Sequence, residues 1–154
     1  MNQTLQISAP KPSELAQSWR AERSSMDEAI REIRRWITSA KTAEPKPVSG
    51  LRSKLIDFAV QLRSHSEHGS ELYDGLRESL WCIEVESAQR NAQADHSYLL
   101  GRLNAMAKPI EGTDAETISF QEATEQLEWF FDELDQHEER EADCFDWLLQ
   151  TSCD

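Results

Sequence analysis

Hydrophobic residues in this chain return every three or four positions along four long segments, the spacing that gathers them on one face of an α-helix. The first stripe reads Leu15, Trp19, Arg23, Met26, Ile30, Ile33 and Ile37. The second reads Leu51, Leu55, Phe58, Leu62, His65, Gly69, Leu72 and Leu76. Val85, Ala88, Ala92, His96, Leu99, Leu103 and Met106 make the third, and Ala123, Leu127, Phe130, Leu134, His137, Glu141, Cys144 and Leu148 the fourth. Each stripe is interrupted by polar residues.

Local signals bound these segments. Ser13 is a candidate N-cap, with Pro12 before it and Glu14 in the first turn. The stretch TAEPKPVSG at 42–50 breaks the first pair, and PIEGTDAET at 109–117 forms a loop before the last helix. Asp74-Gly75 predicts a break ahead of a short connection containing Leu80, Trp81 and Ile83, the segment best suited to an interface. The five Gly and five Pro cluster between the segments, which excludes a sandwich or barrel. The expected fold is all-α: an antiparallel up-down-up-down four-helix bundle over residues 13–154, preceded by a flexible arm at 1–12.

Antiparallel geometry then places the polar interruptions. Residues equally far from a turn lie at equal height, because each adds about 1.5 Å of rise. Positions 23 and 65 have their midpoint at 44, 65 and 96 between 80 and 81, and 96 and 137 between 116 and 117, all inside expected connections. Arg23, His65, His96 and His137 therefore share one layer, with Gly69 and Glu141 one turn away. A buried polar group without a partner costs about 1–3 kcal/mol, so the layer must be satisfied by a metal or by its own members. Three imidazoles and a carboxylate are a set that transition metals accept. His68 lies off the stripe and reads as solvated or supporting. Glu67, Glu71 and Glu138 read as outward surface charge, Tyr98 as ordinary packing beside the seam, and Cys144 as a small core residue.

Charge and composition narrow the partners. The 154 residues include 29 acidic and 16 basic ones, a formal net charge of -13, which argues against nucleic acid or an anionic membrane as partner. Arg31, Arg34 and Arg35 are spaced like a solvated helix face. No apolar run reaches membrane-span length, the first residues lack the order of a signal peptide, and three unpaired-looking cysteines fit a reduced cytoplasm. No nucleophile–base pair, phosphate loop or dinucleotide fingerprint is present. Catalysis without a metal is therefore not expected.

Across residues 13 to 149 the chain resembles the hemerythrin-like family, the HHE cation-binding domains. His137-Glu138-Glu139-Arg140-Glu141, continuing to Cys144-Phe145-Asp146-Trp147-Leu148, is similar to the family's last helix, where a His and a carboxylate four residues on bind iron. Asp95-His96 with Leu99, Leu100 and Leu103 resembles the third helix. His65 through Glu71-Leu72-Tyr73 resembles the second, and Glu22-Arg23 with Met26, Asp27 and Ile30 the first. The resemblance implies two irons bridged by carboxylates and a role in binding oxygen, sensing iron or redox state, or removing oxidants. Two positions depart from it: Arg23 stands where the family has histidine, and Gly69 where it has a bridging glutamate. What remains implies a single ion, iron with zinc or manganese as alternatives, on His65, His96, His137 and Glu141. The competing expectation is a metal-free interaction or regulatory module. In it Arg23, whose permanent charge repels a cation, pairs with Glu141 among buried histidines.

Overall fold

The computed structural model describes residues 11–79, 83–107 and 119–151. They form four helices: α1 (Pro12–Ala40), α2 (Val48–Ser79), α3 (Ile83–Ala107) and α4 (Phe120–Thr151). The arm at 1–10, the connection at Leu80 and Trp81, and the 109–117 loop lie outside the described residues.

The chemistry at the start of α1 places the cap at Lys11, two residues earlier than Ser13. Pro12 takes the first helical position, where its missing N–H is no loss, and the Lys11 backbone N–H donates to Glu14 Oε2 at 3.3 Å. The expected break at Asp74-Gly75 does not occur, and α2 runs on to Ser79. Glycine costs a helix interior about 1 kcal/mol, but here a neighbour packs closely against it. A Cβ on Gly75 would sit 2.7 Å from Leu15 Cδ1 of α1. Buried Leu72, Tyr73 and Leu76 hold the same stretch by packing, and Gln89 of α3 donates to Asp74 at 3.0 Å.

The core settles the topology. One apolar cluster joins the later half of α1 (Met26 to Ile37) to the start of α2 (Leu51 to Leu62), the end of α3 (Leu99 to Ala107) and the start of α4 (Ala123 to Leu134). A second joins Ala16 and Trp19 to Leu72, Tyr73, Leu76, Val85, Ala92, Phe145 and Leu148. Helix ends and starts alternate at each end, as an up-down-up-down bundle requires. α2 and α4 face each other diagonally, Phe58 edge-on to Phe131 at 5.5 Å and Tyr73 against Phe145 at 4.6 Å. Each fully buried Leu or Phe contributes about 1.5–3 kcal/mol, so these clusters dominate stability. Half-exposed pairs such as Arg34 with Glu128 (3.1 Å) are worth about 0–1 kcal/mol and mainly align α1 with α4. Arg31 and Arg35 likewise pair with Glu28 on their own helix.

Between the two clusters lie buried His65, His96, His137, Glu138 and Glu141. The polar layer is real and it divides the core.

Candidate metal centre

Helix α4 contributes most of the layer. Histidine and glutamate four residues apart stack on one helix face, which brings His137 Nε2 to 2.7 Å from Glu141 Oε2. From α3, His96 Nε2 hydrogen-bonds with the same oxygen at 3.1 Å. The two imidazoles stand edge-on, centroids 4.7 Å apart. One ligand atom from each of His96, His137 and Glu141 lies within 4.8 Å of the others, and all three residues are buried. This is a group that could hold a metal ion.

The hydrogen bonding around it prepares His137 as a donor of electrons. Asp95 Oδ2 lies 3.1 Å from His137 Nδ1. An ionised carboxylate only accepts, so Nδ1 carries the hydrogen and Nε2 faces Glu141 with its lone pair. Nε2 and Glu141 Oε1 both lack an aligned partner among the described residues. His137 Nε2 and Glu141 Oε2, two electron-rich atoms 2.7 Å apart, need a positive charge between them, either a proton or a cation. With no cation a proton serves. Burial pushes the His137 pKa down, but the contact with Glu141 and the charges of Glu141, Glu138 and Asp95 outweigh it, and the value is raised. Burial likewise pushes Glu141 up, yet its contacts with His137 and His96 hold it at about 2.

His65 is not part of this group. Its Nε2 hydrogen-bonds with Glu138 Oε2 at 2.8 Å, while its Nδ1, 3.9 Å from Glu22 Oε2, has no hydrogen-bond partner among the described residues. Glu22 in turn meets His68 Nδ1 at 2.5 Å, near the surface, which fits the supporting place expected for His68. Glu138 corrects the expectation of surface charge: it is 3 % exposed. A helix with neighbours on two sides buries a wider arc than one stripe. The sequence carried a signal for this. Leu127, Phe131, Leu134, Glu138, Glu141, Phe145 and Leu148 form a second four-three series on α4, and every member is buried.

Arg23 does not pair with Glu141 among the described residues. It is half-buried, and its charge acts on Asp27 one turn along α1. The centre of the layer on that side belongs to Trp19, which stacks on His65 with centroids 5.3 Å apart. Gly69 provides the space. A Cβ there would lie 3.1 Å from Glu141 Oε1 and 3.5 Å from Trp19 Nε1. Its small size therefore admits a carboxylate and an indole, not the arginine head.

On its other side the centre opens to solvent. A cleft of about 660 Å³ between α3 and α4, closed at the back by Tyr73 of α2, reaches His137 and Glu141. Cys144 lines it and is half-buried rather than core, its thiol pKa raised by burial and by Glu141. Tyr98, expected in packing, is exposed beneath the Arg102 guanidinium.

No described helix is long and apolar enough to cross a membrane. No protein-family model, curated protein or solved structure matches the chain.

Proposed function

We propose that this chain is a hemerythrin-like metal-binding protein that holds one ion on His96, His137 and Glu141 and senses or binds metal, oxygen or redox state. The observation that carries the reading is the buried convergence of three ligand atoms within 4.8 Å, two of the residues reached by a solvent cleft. Two imidazoles and a carboxylate suit iron, with zinc and manganese accepting the same donors. A bound iron would supply Lewis acidity and one-electron chemistry. The chain's own residues do the rest. Asp95 orients His137 and keeps its Nε2 available, Glu141 offsets charge, and the two apolar clusters keep the helices from drifting apart.

Elemental analysis of protein purified without chelators, then reconstituted with Fe(II) or Zn(II), tests this. One ion per chain is expected, lost in His96→Ala and in His137→Ala and kept in His68→Ala and His65→Ala. A chain that takes up neither metal overturns the reading.

A second reading, a metal-free interaction or regulatory module, draws on one observation. His96 and His137 already meet Glu141 at 3.1 and 2.7 Å, so protons can close the layer without an ion. Absence of metal uptake by a stably folded chain is its expected result.

A further inference from the structure

A cleft of about 660 Å³ is far more room than an ion and its waters require; pockets of roughly 300–1,000 Å³ hold small organic molecules. It ends on His137 and Glu141, and its walls include Tyr73, Asp95, Arg140 and Cys144. Two histidines and one carboxylate supply three donors, whereas octahedral iron or manganese takes about six, and a two-His-one-carboxylate set with open positions is a recurring arrangement for binding further ligands at Fe(II). We infer that the open positions of an ion at this centre are filled, through the cleft, by a small monoanionic chelator: a 2-oxo or 2-hydroxy acid with two adjacent oxygen donors. This rests on the metal-binding reading above.

Charge fixes the class. A divalent ion beside the Glu141 carboxylate leaves one positive charge, which a single carboxylate neutralises. Asp95 and Glu84 on the walls disfavour a second negative charge. Arg140 is the one guanidinium among the described residues that line the cleft, and its side chain is exposed there. A planar, permanently charged guanidinium matches a ligand's carboxylate. Tyr73, at the back of the cleft, offers a phenol O–H as a hydrogen-bond donor. The rest of the layer offers no such room, since Trp19 packs against His65 there.

The test is a titration of the Fe(II)-loaded protein with pyruvate under anaerobic conditions, followed by visible absorption, with acetate as a ligand of equal charge but no second donor. Pyruvate is expected to produce a new absorption band that saturates at one per iron, and acetate at the same concentration none. Ala94→Phe, on the exposed wall of the cleft, and Cys144→Leu should keep one iron per chain but weaken pyruvate by roughly tenfold or more, the scale of one altered pocket contact. Full iron occupancy with no response to pyruvate overturns the inference, as does an identical response to acetate. Undiminished binding in both cleft variants also overturns it. A wild-type chain that takes up no iron removes the metal reading and this one with it.

Discussion

Glu138 and Glu141 are three residues apart on α4, both buried in the same layer, and they do different things. Glu141 Oε2 meets two imidazoles, from α3 and from its own helix, and borders a solvent cleft. Glu138 meets one, His65, whose ring lies against the Trp19 indole. Composition does not separate the two halves, since both have histidine and glutamate. The neighbours do. On the Glu141 side the small residues Ala88, Ala92 and Ala94 line the cleft. On the Glu138 side Trp19 fills the layer. One half is left as a candidate ligand cluster with access, and the other as a buried hydrogen-bonded pair.

The sharpest way to break this contrast is to remove each carboxylate. Glu141→Ala is expected to abolish metal uptake entirely, whereas Glu138→Ala should retain one ion per chain. The latter variant should instead lose about 1–3 kcal/mol of stability, the cost of leaving His65 Nε2 buried and unpaired. Metal content and urea unfolding read out the two effects. If Glu138→Ala loses the ion and keeps its stability, the assignment of roles is reversed.

Rebuilding a second site is the next test. The space beside Gly69 is occupied by Glu141 and Trp19, so Arg23→His with Gly69→Glu should not raise metal content to two. Overpacking should instead destabilise the bundle by about 1–3 kcal/mol. Two ions in a folded double variant would mean that Trp19 moves aside, and that the halves are more alike than their packing.

A smaller effect follows from protons. Glu141 is lowered from 4.5 to about 2, so its stabilisation is complete above the ordinary carboxylate value and disappears as pH falls from there towards 2. His137 is raised above 6.5, so its stabilisation is complete below 6.5 and disappears as pH rises through the raised value. The metal-free protein should be most stable between those ordinary values, 4.5 and 6.5. His137→Gln should flatten the alkaline side of a plot of unfolding midpoint against pH. A bound cation replaces the proton, and should flatten the same limb in the unmodified protein.

Smallest of all, His68→Ala changes a half-exposed side chain. It should shift stability by no more than about 0.5 kcal/mol and leave metal content unchanged. A larger loss would make the Glu22–His68 contact part of the buried half.

Fold and layer were legible in the chain because both depend on periodicity. Leu51, Leu55, Phe58 and Leu62 repeat at helical spacing, and counting residues from each turn was enough to bring His96 level with His137. Rotation about the helix axis was harder to read. Steps of three and four are compatible with two adjacent stripes on α4, one through His137 and one through Glu138, and both residues are buried. On α1 the error was one of height: Trp19 and Arg23 share a stripe, and Trp19, one turn earlier, is the residue that meets His65. Gly75 read as a break because propensity is local, while the packing of Leu15 from another helix against it is not visible in the local sequence.

The sequence by itself determined four amphipathic helices, their antiparallel order and a polar layer with three histidines, since a repeat of 3.6 residues and a rise per residue are properties of the chain alone. Tertiary structure decided which histidines meet. Side chains at one height still point in different directions, and only the packing of four helices, with Trp19 and Glu141 meeting at Gly69, brings His96, His137 and Glu141 together and turns His65 away.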